Sequence, residues 1–161
     1  MSLAVKLLVI ALGLCVVVGA AQQDPGKKRI LVVCTGNSAR SQMAAGFLSS
    51  FDPRLDVYSA GTDPAPRINP NAIRAMNEVG IDISHQTSKD VELYVNRKFD
   101  FVITVCDRAK QQCPIFPGAE AIHWGFDDPA EAPSERQGET FRRVREEILQ
   151  RIRLFLLANS R

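Results

Sequence analysis

Little in this sequence points to a specialised surface. Basic and acidic residues nearly cancel, 20 against 18, for a net charge of +2. A nucleic-acid protein would show a basic excess or stripe, so this class is excluded as the first reading. Aromatic residues make up 7% and there is one tryptophan. Cysteine occurs four times and histidine twice. Four cysteines are too few to staple a chain of 161 residues, so each is read for reactivity instead. A zinc site has only His85 and His123 to join the cysteines, and the usual ligand spacings are missing. No internal repeat or low-complexity stretch occurs, and no exposed heptad or extra domain suggests more than a monomer.

Composition changes once along the chain. Leu7–Ala21 carries no charge, follows Lys6 and ends Val18-Gly-Ala-Ala21 before Gln22. A basic start, an apolar run and small residues at its end are the marks of a signal peptide. The apolar run is 15 residues, short of the ~20 that a spanning helix prefers. Residues 1–21 are therefore expected to be a signal peptide cleaved after Ala20 or Ala21, and the protein to be exported. A membrane anchor or a cytoplasmic chain is the alternative. Cys15 sits inside the run behind Leu14, which is not small, and is read as apolar filler. Gln22–Lys28 is a polar linker, and residues 29–158 form one domain.

Within that domain, Arg29–Cys34 is continuously apolar, as expected of a strand buried on both faces. A turn follows, and a helical pattern runs from Ala39 to the stop at Asp52-Pro53. Leu55–Ala60 alternates as a second strand, ended by Gly61. Asn69-Pro70 opens a second helix, with Ile73, Met76 and Val79 on one face and Gly80 as its end. Ser88–Arg97 reads as a third helix. Phe99–Val105 is a buried strand, Cys106–Gly118 a loop, and Ala121–Trp124 a short fourth strand. A final helix from about Gly138 to Ala158 sets Phe141, Val144, Ile148, Ile152 and Phe155 on one stripe. Glu139, Glu146 and Glu147 interleave with its arginines, so its polar face is solvated and not a nucleic-acid surface. Buried strands alternating with amphipathic helices mean α/β with a parallel sheet, and such sheets bind ligands beyond the carboxyl ends of their strands.

Three stretches converge on that edge. In Cys34-Thr-Gly-Asn-Ser-Ala-Arg40-Ser41 a cysteine ends a strand, a turn follows, and a helix begins. The amides of Thr35, Gly36, Asn37, Ser38, Ala39, Arg40 and Ser41 can cradle an anion at the helix start. The same field is expected to lower the Cys34 pKa. Arg40 can clamp a tetrahedral oxyanion through its planar fork, Ser41 can donate to the sulfur, and Asn37 can brace the turn. The bland alternative is a structural cysteine and a surface arginine. Asp127-Asp128-Pro129 offers a general acid, or simple turn chemistry. Cys106 and Cys113 are seven apart after the third core strand; a redox pair reads better than two small hydrophobes. If they flanked a helix, the segment would have to unwind for them to meet.

Together these residues resemble the arsenate reductases, of the thioredoxin-coupled type, in the low-molecular-weight tyrosine phosphatase superfamily. The match runs through Cys34–Met43, Tyr58–Gly61, Asn69–Ala72, Glu78–Ser84, Val105-Cys106, Cys113-Pro114 and His123–Pro129. The resemblance implies a flavodoxin-like, four-stranded parallel sheet with helices on both faces, and no metal or organic cofactor. It implies that Cys34 attacks arsenate, that Arg40 and the loop amides hold its oxygens, and that Asp128 protonates the departing oxygen. Cys106 would then attack the adduct and release arsenite, leaving a Cys34–Cys106 disulfide. Cys113 would move the disulfide to Cys106–Cys113, and a thioredoxin-like or other thiol donor would reduce it. Phosphate and sulfate would compete as oxyanions. Certain relatives carry a further cysteine where this chain has Ala39. Others hold potassium with a glutamate where this chain has Ala45, so the resemblance does not carry an ion site over to this chain. A tyrosine phosphatase working through a phosphocysteine is the runner-up, and would need neither Cys106 nor Cys113. Such phosphatases tend to carry aromatics after Asp-Pro, where this chain has Ala130-Glu-Ala132. A non-catalytic oxyanion-binding or thiol-sensing module is the third reading.

Overall fold

A computed structural model describes residues 26–159. The expected signal peptide and residues 22–25 of the expected linker lie outside the described residues. Four strands build the sheet: β1 (Lys28–Cys34), β2 (Leu55–Gly61), β3 (Phe101–Thr104) and β4 (Glu120–His123). The helices are α1 (Arg40–Phe51), α2 (Pro70–Asn77), α3 (Asp107–Gln112) and α4 (Gln137–Ala158). All strand pairs are parallel, in the order β2-β1-β3-β4. Ile30–Val33 are fully buried, which explains why β1 reads as an unbroken apolar run rather than an alternating one.

Neighbouring strands set the two faces. Phe101 is level with Ile30 on β1, so both side chains point the same way. On that face Phe101 and Trp124 meet Phe155 of α4 edge-on, at 5.1 and 5.7 Å between ring centres. The expected α4 stripe is buried in full, and α1 and α2 pack beside α4. Tyr58 and Val102 point to the opposite face. There Tyr58, Tyr94, Phe99 and Phe116 make a chain of edge-on ring contacts, and α3 lies over β1 and β3.

Three expectations are corrected. Residues 88–97 are not a helix; only Val91–Tyr94 form a single 3-10 turn. The backbone of Lys89–Asp90 is instead extended along the end of β2, where Lys89 O accepts from Gly61 N at 2.8 Å. That pairing to the sheet outweighs local helical preference. Residues 106–118 are not all loop, because α3 forms between the two cysteines; its one inward side chain, Ala109, is fully buried. On α2 the buried residues are Ala72, Ala75 and Met76, not Val79, which is 40% exposed. The helix ends before Val79, and the chain reverses at Gly80, with φ 78°, so that Ile81 N returns to Met76 O.

The end of β2 leaves no room for a side chain. A Cβ on Gly61 would lie 2.5 Å from Thr35 O and 3.0 Å from Asn37 N, both rigid backbone atoms. Gly138, in the first turn of α4, has open space around it. Gly61→Ala is therefore expected to cost about 1–3 kcal/mol through overpacking. Gly138→Ala should be neutral or stabilising by up to about 1 kcal/mol. Urea denaturation of the two variants checks the contrast; equal stabilities would refute the close fit at Gly61.

Candidate active site

The sheet order places the site. β1 and β3 are neighbours, but the chain leaves β1 toward β2 and reaches β3 only by crossing back. The crevice at such a reversal lies at the carboxyl ends of the two strands. Val105 N donates to Val33 O at 2.9 Å, so Cys34 and Cys106 both follow directly from paired backbone. They line one cavity of about 530 Å³ with Thr35, Arg40, Arg108 and Asp128. Gly36, Ser38 and Ala39 line it too.

Asn37 and Ser41 lie behind the cradle, both fully buried. Asn37 holds the left-handed conformation, φ 44°, which asparagine tolerates better than most residues. That turn aims its N–H at Cys34 Sγ, 3.1 Å away. Its side chain is tied at both ends: Oδ1 accepts from Lys89 N at 2.9 Å, and Nδ2 donates to Ser41 Oγ at 2.8 Å. Ser41 Oγ in turn shares a hydrogen bond with Cys34 Sγ, 2.9 Å away. Gln42 completes the support: its Nε2 donates to Asn37 O and Thr87 O at 2.8 and 3.1 Å. Gln42 and Lys89 were not singled out in the sequence. Their partners lie up to 52 residues away, and no local spacing reports such a contact.

The expectation of a lowered Cys34 pKa is corrected. Cys34 is 3% exposed, and burial pushes its thiol up. Hydrogen bonds from Ser41 and the charge of Arg40 act in the opposite direction, and the nearby Cys106 adds to the rise. Arg40 is engaged elsewhere. Its guanidinium pairs with Asp128 Oδ2 at 2.5 Å and donates to Phe126 O at 3.0 Å.

The two neighbouring aspartates separate clearly. Asp127 pairs with Arg143 of α4 at 3.0 Å. Asp128 faces Arg40 and also accepts from Ala130 N through Oδ1, capping the 3-10 turn Pro129–Glu131. Cys106 Sγ lies 3.4 Å from Thr35 Oγ1 and sits at the N-cap of α3. Cys113 is not brought to this cavity. It lies at the other end of α3, half-buried, beside Val102, Phe116 and Ala119. Burial pushes its thiol up to about 11.

This arrangement can bind an oxyanion against one thiol and present a second thiol to the product. A family model for low molecular weight phosphotyrosine protein phosphatases matches residues 29–160. A protein of Halalkalibacterium halodurans named arsenate reductase is 50% identical over 133 residues, covering 80% of this chain and 95% of the relative. A solved arsenate reductase in the oxidised state is 35% identical, with TM-score 0.68, over 78% of this chain and 93% of that one. A thioredoxin-dependent arsenate reductase of Corynebacterium glutamicum is 28% identical, with TM-score 0.65, over 84% of this chain and 65% of that one. The chain belongs to the low molecular weight phosphotyrosine protein phosphatase family.

Proposed function

We propose that this protein is an arsenate reductase that works through three cysteines. The observation that carries the reading is the meeting of Cys34 and Cys106 in one cavity with Arg40, with Cys113 held apart at the far end of α3. Phosphate-ester hydrolysis would use Cys34, Arg40 and Asp128 and would leave the other two thiols idle. Relatives named arsenate reductase support the same activity.

Arsenate entering the cradle competes with Asp128 for Arg40. The guanidinium turns to the oxyanion, and Asp128, released from its partner, is free to take a proton. The buried Cys34 thiol passes its proton to the bound arsenate dianion, and the loop donors already aimed at the sulfur hold the thiolate. Its sulfur attacks arsenic; the As–O bond opposite breaks, and Asp128 delivers the proton that lets oxygen leave as water. Cys106 thiolate then attacks Cys34 Sγ. The S–As bond breaks and its electron pair stays on arsenic, giving arsenite and a Cys34–Cys106 disulfide. Cys113 thiolate attacks Cys106 and displaces Cys34 as thiolate. An external thiol donor of thioredoxin type reduces the remaining Cys106–Cys113 disulfide.

The last exchange demands a conformational change. Seven residues of helix span ~10 Å at ~1.5 Å each, whereas a disulfide needs Cα atoms within ~7 Å. α3 has six residues, far below the ~12 that hold together alone. It is tied at its start by Asp107 to His123, 3.0 Å apart, and by the buried Ala109. Unwinding it would bring Cys113 to Cys106 and free the Cys113 thiol from the burial that keeps it protonated.

Two outcomes follow for the cysteines. Cys34→Ser should abolish both arsenite release and phosphate-ester hydrolysis. Cys106→Ser should abolish arsenite release and keep slow ester hydrolysis through Cys34. Both are assayed with and without a dithiol donor; wild-type arsenate turnover by Cys106→Ser would refute the relay, and no activity of either kind in the wild type would favour a binding module. For Cys113, a pKa near 11 leaves ~100-fold less thiolate at neutral pH than an ordinary cysteine has. Iodoacetamide should label it ~100-fold more slowly in the folded, reduced protein than in urea, as read by mass spectrometry. Equal rates would show that the thiol is not held protonated.

We further propose that residues 1–21 direct export, supported by the charge-free Leu7–Ala21 run behind Lys6 and the small residues before Gln22. The test is the mature N-terminus in the native host. A chain beginning near Gln22 outside the cytoplasm is expected, and an intact Met1 chain in the soluble cytoplasm would refute it.

A further inference from the structure

Around the cavity that would take a divalent oxyanion, acidic side chains outnumber basic ones. Asp63, Asp107, Asp127, Asp128 and Glu131 border it, against two cations, Arg40 and Arg108. Three of the acids are already paired: Asp107 with His123, Asp127 with Arg143, and Asp128 with Arg40. Arg40 is thereby spent in the empty site. Arg108 is not. It is exposed and makes no ion pair or hydrogen bond among the described residues. It also lines an adjoining cavity of about 380 Å³ that shares Thr35 and Asp63 with the first. An unpaired guanidinium is thus positioned between two openings onto the same cradle. It belongs to the first turn of α3, one residue after Asp107.

We propose that Arg108 is a second oxyanion-binding side chain, and that through it an occupied cradle holds α3 in its helical form. This rests on the reading of the cradle as an oxyanion site. A planar guanidinium can close on two anion oxygens left free by Arg40. The anion then bridges the Cys34 loop and the first turn of the helix between Cys106 and Cys113. A ligand that contacts only the folded helix shifts its equilibrium toward that form. The coupling is reciprocal: unwinding α3 weakens the hold on the oxyanion by the same factor. Cys113 is therefore kept from Cys106 while an oxyanion fills the site, and is released as the product leaves. The order of thiol exchange is set by occupancy, with no additional domain.

The experiment uses the reduced protein and inorganic phosphate as the probe. Calorimetry gives the phosphate affinity of wild type, Arg108→Gln, Arg108→Lys and Lys110→Gln. Lys110 sits on the same helix but borders the apolar cavity of Cys113, so it controls for helix charge alone. Arg108→Gln is expected to weaken phosphate ~10-fold, in line with loss of one charge-assisted contact. Arg108→Lys should fall between, and Lys110→Gln should match wild type. Hydrogen exchange of residues 107–112 should slow with phosphate in wild type and not in Arg108→Gln. Wild-type affinity in Arg108→Gln, equal weakening by Lys110→Gln, or phosphate protection of α3 that survives without Arg108 would each overturn the proposal. Absence of phosphate binding in the wild type would instead overturn the reading of the cradle itself.

Discussion

Everything at this site depends on one residue held in a left-handed conformation. Asn37 turns the chain so that its N–H faces the Cys34 sulfur. A single amide side chain then joins the extended segment at Lys89 to the hydroxyl of Ser41. That side chain is buried, so both of its hydrogen-bonding ends must be satisfied, and both are. The cradle is preorganised by these contacts rather than by the ligand. Gly61 belongs to the same constraint, since only a residue without Cβ lets β2 end against the loop.

The electrostatics describe a resting state, not a reacting one. Cys34 is buried deeply enough that its thiol holds its proton, and Arg40 is neutralised by Asp128. In the proposed reaction an oxyanion would draw the guanidinium away from Asp128, toward a sulfur whose donors are already in place. Protonated thiols are poor nucleophiles, so the empty site is protected from side reactions by the same burial that would strengthen its interactions when filled.

Between Cys106 and Cys113 lies the shortest α-helix among the described residues. α3 is kept folded by two tertiary contacts, a buried alanine and the Asp107–His123 pair, and closes locally through a bond from Cys113 N to Ala109 O at 2.7 Å. Such an element opens at modest cost. The sheet beneath it, paired along β1 and β3, does not need to move. The proposed relay, in which Cys106 reaches Cys34 and then Cys113, would use a rigid strand end at Cys34 and a yielding helix between Cys106 and Cys113.

Local signals in the sequence determined a good deal. Unbroken apolar runs mark strands buried on both faces, so β1 and β3 and the parallel sheet were legible, as was the α4 stripe from Phe141 to Phe155. The Cys34–Ser41 turn between strand and helix was legible too, because its residue types are needed at neighbouring positions. The structure alone decided what depends on distant parts of the chain. It paired Lys89–Asp90 with the end of β2 where a helix was expected, and it made α3 a helix by burying Ala109. It separated Asp127, bound to α4, from Asp128, facing Arg40. It also reversed the expected direction of the Cys34 pKa. A turn and a helix start both favour thiolate, and both are written in adjacent residues. The desolvation that opposes them comes from burying Cys34 in the folded core, and the charge of Arg40 does not outweigh it.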